Sequence, residues 1–248
     1  MSRKEELEPA WGRVPFLRSL SDGCKEQLLP YAELKTVSNG ERLWFEGKSA
    51  EQFSFMIRGR VKLVRTNESG RDTILEMPAS GELLCGNAVS CFIPYCCSAE
   101  SMEDGTTVVI LPRRDILALV EKEPEVARNF VREITCRGIH LCERVEELSG
   151  GQVEQRIALL LLKLADRAGV PLEEGTIKIR IPLSRQDLAD LCGTTVETAI
   201  RVMSRLKKLG VVETAARGFL IKNRQQLELI SQGVRPGTSK LPIVPIPK

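Results

Sequence analysis

The stretch Ser184-Arg-Gln-Asp-Leu-Ala-Asp-Leu-Cys-Gly-Thr-Thr-Val-Glu-Thr-Ala-Ile-Arg-Val-Met-Ser-Arg-Leu-Lys-Lys208 decides the reading of this chain. Ser184 precedes an apolar-periodic run and Asp187 follows three residues later, a capping box with Asp in place of Glu. Leu188 and Leu191 fall on one face of the helix so started. Gly193 can take the left-handed backbone that ends a helix, and Thr194 or Thr195 caps the next one. In that second helix Val196, Ala199, Ile200, Met203 and Leu206 supply apolar faces. Glu197, Arg201, Arg205, Lys207 and Lys208 supply the polar ones. Glu197 and Arg201 stand at i, i+4 and so share a face. A carboxylate there can accept from cytosine N4, and a guanidinium can donate two bonds to guanine. Two short helices joined by a tight turn, with such a pair on the second, make a helix-turn-helix suited to a DNA major groove.

A Glu–Arg pair at this spacing is, by itself, the mark of a solvated, salt-bridged helix. The whole arrangement shifts the reading: cap, helix, glycine turn, second helix, basic end. Gly210-Val-Val-Glu213 and Ala216-Arg-Gly-Phe-Leu-Ile221 then read as short strands around a turn, a wing beside the helices. From Thr194 to Arg224 there are seven Lys and Arg residues (201, 205, 207, 208, 217, 222, 224) against two acids (197, 213), a local excess of +5. The entire chain carries +3. A modest global charge with a concentrated basic patch fits a DNA reader better than a general polyanion binder.

With 248 residues, 42% of them hydrophobic, the chain can bury a real core and divides naturally into two domains. No apolar run approaches the length of a membrane span, and Met1-Ser-Arg-Lys-Glu-Glu6 has no apolar signal core, so a cytoplasmic location is expected. Eight Cys at irregular spacing point to free thiols, some with metal or redox chemistry, rather than to a secreted disulfide scaffold. With one His, no P-loop and no GxGxxG, nothing argues for an enzyme.

Residues 1–35 read as mixed helical, anchored by Phe16, Leu17, Leu20, Leu28 and Leu29. Over 36–112 short β-type runs (42–45, 53–57, 61–64, 73–75, 107–111) alternate with glycine turns, which argues for a β-barrel or roll. Asn67-Glu-Ser is one of those turns. A short helix at 115–120 follows. After Pro124, a first-turn proline, a long helix runs to about Leu148. Its apolar residues Val126, Phe130, Ile134, Leu141, Val145 and Leu148 form a heptad-like seam, for homodimerisation or for packing on the chain's own roll. Gly150-Gly151 is the natural hinge. Residues 153–168 are an amphipathic helix, and 175–182 a strand pair or turn. The expected organisation is α+β: a roll over 1–123, a dimerisation helix and hinge over 124–150, a winged helix-turn-helix over 151–232, and a flexible Pro-rich tail over 233–248.

This order of elements, with Thr195-Val-Glu-Thr-Ala-Ile-Arg-Val-Met-Ser-Arg-Leu-Lys-Lys-Leu-Gly-Val-Val212 and the roll glycines Gly47, Gly59, Gly70 and Gly81, resembles the CRP/FNR family of bacterial transcription regulators over about 16–223. The resemblance implies a homodimer on an inverted repeat, with RNA polymerase as a further partner. It also implies a cyclic-nucleotide-binding-like roll, and half-sites containing TGA read through the positions of Glu197 and Arg201. Val196 follows the FNR branch. Ile200 departs from both branches and can touch a thymine methyl. The implied DNA-contacting set is Ser184, Arg185, Thr195, Val196, Glu197, Thr198, Ile200, Arg201, Arg205 and Lys208.

In the cyclic-nucleotide branch of the family, a Gly-Glu pair holds the ribose and an Arg-Ser pair the phosphate. Here Gly86-Asn87 and Cys97-Ser98 stand in those places, and Leu141 and Cys142 near the two adenine contacts. Without the Arg nothing neutralises a buried phosphate, so ordinary cyclic AMP is not the expected effector. Cys85, Cys91, Cys96 and Cys97 crowd the same tract and, with His140, are the possible ligands of a metal, an iron–sulfur cluster or haem. The alternative is that these Cys are small apolar residues lining the roll, with no cofactor. The function read from the chain is therefore a sequence-specific, dimeric, DNA-binding transcription regulator. Its roll serves a redox or gas sensor, or belongs to a constitutive regulator that binds a protein partner or no ligand.

Overall fold

The computed structural model describes residues 3–86, 94–215 and 218–234. It divides into two compact units, Met1–Val145 and Glu146–Lys248.

The first unit opens with α1 (Arg3–Trp11), α2 (Pro15–Arg18) and α3 (Asp22–Leu28). Seven strands follow: β1 (Glu33–Val37), β2 (Arg42–Trp44), β3 (Gln52–Arg58), β4 (Val61–Thr66), β5 (Asp72–Glu76), β6 (Ser98–Ser101) and β7 (Thr106–Pro112). They form two antiparallel sheets, one ordered β1-β7-β3 and the other β2-β6-β4-β5. This is the roll. Phe53 to Ile57 are all buried, Ser54 among them, so that run does not alternate as a half-buried strand would. Each of Gly47, Gly59, Gly70 and Gly81 has positive φ. Two of them also have no room for a side chain. A Cβ on Gly59 would lie 2.5 Å from Thr106 Oγ1, and one on Gly81 2.5 Å from the Arg13 carbonyl.

Two strands lie outside the five runs legible in sequence. In β6 the buried residues are Ser98, Ala99 and Ser101, too small and polar to register as a hydrophobic pattern. They are buried because β6 sits between β2 and β4. In β1 only Val37 is buried, so little periodicity exists to read. The turn expected at Asn67-Glu-Ser is present: Asn67 Oδ1 accepts from the Ser69 and Arg71 amides at 3.1 and 2.9 Å.

After β7 come α4 (Arg113–Lys122) and the 26-residue α5 (Pro124–Ser149), which runs across the boundary between the units. The expected seam on α5 is corrected. Val126 and Phe130 are buried and Ile134 packs against the roll core. Phe130 meets Phe16 and Phe53 edge-on, with centroids 5.6 and 5.2 Å apart. Leu141 and Val145, by contrast, are exposed. One apparent stripe thus serves the chain's own core at its start and faces outward near its end. The outward face reads Val131, Thr135, Gly138, Cys142 and Val145, all exposed and stepping by four and three.

In the second unit α6 (Val153–Ala168) is the amphipathic helix expected, burying Ile157, Ala158, Leu161, Leu162, Leu164 and Ala165. β8 (Gly169–Pro171), β9 (Ile177–Ile179), β10 (Val212–Ala215) and β11 (Gly218–Ile221) make an antiparallel sheet ordered β10-β11-β9-β8. Between β9 and β10 lie α7 (Arg185–Leu191) and α8 (Val196–Lys208). The closing α9 (Arg224–Ser231) packs on α6 and had no counterpart in the sequence reading. Only Leu227 and Ile230 of it are buried, two anchors that carry little signal. Of the tail only Gly233 and Val234 are described, and 235–248 lie outside the described residues.

Candidate functional site

The α7–α8 pair forms by local chemistry. Ser184 Oγ accepts from the Asp187 amide at 3.0 Å, and the Ser184 amide donates to Asp187 Oδ2 at 3.0 Å. The shorter Asp therefore closes the capping box as a Glu would. Leu188, Ala189 and Leu191 are buried, Gly193 has φ +56°, and the Thr194 amide donates back to the Ala189 carbonyl. Thr195, not Thr194, caps α8, its Oγ1 accepting from the Thr198 amide at 3.3 Å.

Ala199 and Leu206 bury the inner side of α8. Glu197, Arg201, Ser204 and Lys208 then line up outward at steps of four, three and four, all exposed. Thr195, Val196, Thr198 and Ile200 flank them, half-buried, and Ser184 and Arg185 are exposed at the start of α7. The Arg201 guanidinium leans on Thr198 Oγ1 at 3.4 Å. Ser204 was not singled out in the sequence, although its spacing from Arg201 could have found it.

Three cations of the basic patch have acidic neighbours within the domain. Arg224 donates to Asp166 and Glu228, each at 2.8 Å, which holds its guanidinium pKa above the usual value. Arg205 pairs with Glu154 at 3.4 Å, and Lys222 stands 4.0 Å from Glu213. Arg185, Arg201, Arg205, Lys207, Lys208 and Lys222 are exposed; Arg217 lies outside the described residues. Arg156, which the sequence did not mark, braces the motif from behind. Its Nε donates to the Cys192 carbonyl at 2.9 Å, at the end of α7, and its Nη1 to the Gly151 carbonyl at 3.0 Å. One side chain thus joins the glycine hinge to the turn of the helix-turn-helix.

Known proteins share this architecture. The profile of the cyclic nucleotide-binding domain matches residues 34–123, and that of the Crp-like helix-turn-helix domain matches residues 155–230. Between them they cover more than half of the chain. This chain belongs to the CRP/FNR family of transcription regulators. It is 27% identical over 220 residues to the cyclic AMP receptor protein of Thermus thermophilus, spanning 89% of this chain and 98% of that protein. It is 28% identical to the nitrogen fixation regulation protein FixK of Rhizobium meliloti over 178 residues, 71% of this chain and 76% of that protein. Among solved structures, a CRP-family regulator from Thermus thermophilus, TTHB099, superposes with a TM-score of 0.65 at 26% identity, covering 80% of this chain and 96% of that one. FixK2 from Bradyrhizobium japonicum, at 24% identity and a TM-score of 0.69 over the same shares, shows the same fold.

In the roll of this CRP/FNR regulator, Cys97 and Ser98 are hydrogen-bonded to residues of β2 and the turn after it. Ser98 is buried, and its Oγ accepts from the Glu46 amide at 3.0 Å. The Cys97 carbonyl accepts from Trp44 Nε1 at 2.9 Å. Cys97 brings no cation to the place where the resemblance puts an Arg, and Ser98 keeps only its hydroxyl hydrogen as a side-chain donor. Helix α5 supplies its own polar groups instead. Arg137 pairs with Glu76 at 2.9 Å and donates to the Leu83 carbonyl, Glu133 accepts from the Leu83 amide at 3.4 Å, and Arg144 donates to the Ile74 carbonyl at 3.0 Å. Ile134 closes on Gly86, where a Cβ would stand 2.6 Å from its Cδ1.

Of the residues considered as ligands, Cys85, Cys96 and Cys97 come together; Cys91, like Asn87, lies outside the described residues. Leu141, Cys142 and His140 are exposed on α5. Among the described residues no three His, Cys, Asp or Glu side chains converge as a metal site would require, and no helix is long and apolar enough to cross a membrane.

Proposed function

We propose that this regulator binds DNA as a homodimer on an inverted repeat with TGA-containing half-sites, the two α8 helices entering successive major grooves. The observation that carries this reading is the exposed stripe Glu197–Arg201–Ser204 on a helix capped by Thr195 and braced through Arg156. Glu197 reads cytosine, Arg201 reads guanine, and Ile200 at the flank contacts a thymine methyl. Ser184, Arg185 and Lys208 hold phosphates and set the register without reading sequence. The outward face of α5 supports the dimer. RNA polymerase is the further partner through which such a dimer acts on transcription.

The roll acts without ordinary cyclic AMP, because α5 already bonds to β5 and to Leu83, beside the tract that the resemblance assigns to a nucleotide. Gel-shift titration with a TGA palindrome and a scrambled control tests the reading. Wild type prefers the palindrome, and adding cyclic AMP leaves that preference unchanged. Arg201→Ala loses roughly tenfold to a hundredfold of it per half-site, the worth of one bidentate contact, while its elution as a dimer stays the same. Equal retention of both DNAs by wild type and variant overturns the proposal.

A further inference from the structure

Three thiols of the roll meet at the foot of β6. Cys96 Sγ and Cys97 Sγ are 4.0 Å apart, and Cys85 hydrogen-bonds to both. Cys85 and Cys97 are buried, whereas Cys96 is exposed. Arg137 of α5 lies near enough to act on the Cys96 charge and is itself anchored to Glu76 and Leu83. Neither the DNA-reading surface nor the fold requires three thiols here, since Ala or Val would fill the same apolar volume.

We infer that Cys96 is a peroxide-reactive thiol and that Cys85 is its resolving partner, so that the roll carries an intramolecular thiol–disulfide switch. An exposed thiol with two buried thiols in reach meets the requirement of access for the oxidant and of a second sulfur to capture the product. Hydrogen bonds from Cys85 and Cys97, with Arg137 adding to them, hold the Cys96 pKa well below the ordinary thiol range. The same bonds and burial push that of Cys97 up. The Cys96 thiolate attacks one oxygen of a hydroperoxide, giving a sulfenic acid and releasing hydroxide or alkoxide. The Cys85 sulfur then attacks the sulfenic sulfur, its proton leaves with the hydroxyl as water, and the S–S bond forms. Cys85 is preferred over Cys97 because a bridge between adjacent residues strains the planar peptide between them. Bridging brings the two sulfurs to about 2.05 Å. The bridge removes the negative charge beside Arg137 and ties residue 85 to residue 96, so oxidation is felt where α5 grips the roll.

The full-length protein, reduced, desalted and treated with hydrogen peroxide under air-free conditions, tests this. Chymotrypsin cuts after Phe92 and Tyr95 and so separates the two sulfurs, and fragmentation distinguishes Cys85 from Cys91. The expected product is about one Cys85–Cys96 disulfide per chain, reversed by dithiothreitol. Cys96→Ser should slow peroxide consumption roughly tenfold or more, because the thiolate is the reacting species. Cys85→Ser should keep the fast first step and accumulate a sulfenic acid that dimedone labels at Cys96. Circular dichroism checks that each variant is folded, and Cys96→Ala replaces any that is not. Oxidation at the same rate in Cys96→Ser, a bridge to Cys91 or Cys97 instead, or a link between two chains through Cys136 or Cys142 overturns the proposal.

Discussion

Tyr95 shows how one side chain reports the state of the roll. Its ring stacks on Trp44 with centroids 4.6 Å apart, and its hydroxyl donates to the Gln52 carbonyl at 3.1 Å. Burial, reinforced by the charge on nearby Cys85, pushes its phenol up to about 12. The folded value lies above the unfolded value of about 10. Its contribution to stability is therefore complete below pH 10 and lost as pH rises through 12. In a Tyr31→Phe variant, which leaves Tyr95 as the one tyrosine, absorbance at the phenolate band should reach half-height near pH 12, with unfolding accelerating over the same range. A midpoint near 10 would show that the ring is solvated. At this scale the shared face of Glu197 and Arg201 was legible, because it needs only helical spacing. The acidic neighbours of Arg205 and Arg224 were not: Glu154 and Asp166 lie far off in sequence, and no local pattern announces them.

Among the elements, α5 holds the lesson. Its apolar residues satisfy two demands that look alike in a linear pattern. Val126, Phe130 and Ile134 close the roll core. Outside that contact Val131, Ile139 and Val145 are exposed by 64, 54 and 64%. The exposed valines belong to a heptad-spaced stripe that a second copy would cover. Val131→Glu with Val145→Glu should place like charges across that seam. Light scattering should then report the mass of one chain where wild type gives two, with far-UV circular dichroism unchanged because neither side chain packs in the core. A variant that still sediments as a dimer would move the interface elsewhere. The helices α6, α7 and α8 were legible to within a residue or so, because caps and apolar periodicity agree within each. The strands β1 and β6 and the helix α9 were not, since packing rather than pattern makes them regular.

For the whole molecule the question is what joins the roll to its long helix. Arg137, Glu133 and Arg144 hold α5 to strands and turns fifty or more residues away. Arg137 and Glu76 are each about one-sixth exposed. Breaking such a pair leaves a poorly solvated charge, so Arg137→Met should destabilise the roll by about 2 kcal/mol, less than a fully buried pair would lose. Adding Glu76→Leu should recover part of that loss in a double-mutant cycle read by urea unfolding. A single-variant loss below about 0.5 kcal/mol would mean that the pair is solvated and does not clamp the helix. By itself the sequence determined the order of domains, the winged helix-turn-helix and the shared face of Glu197 and Arg201 on α8, because caps, glycine turns and helical periodicity act over a few residues. Only the tertiary structure decided which side of α5 meets the roll, which cations have acidic neighbours, and that three cysteines meet beside Arg137. Each of those depends on groups distant in sequence, brought together by burial of the shared core.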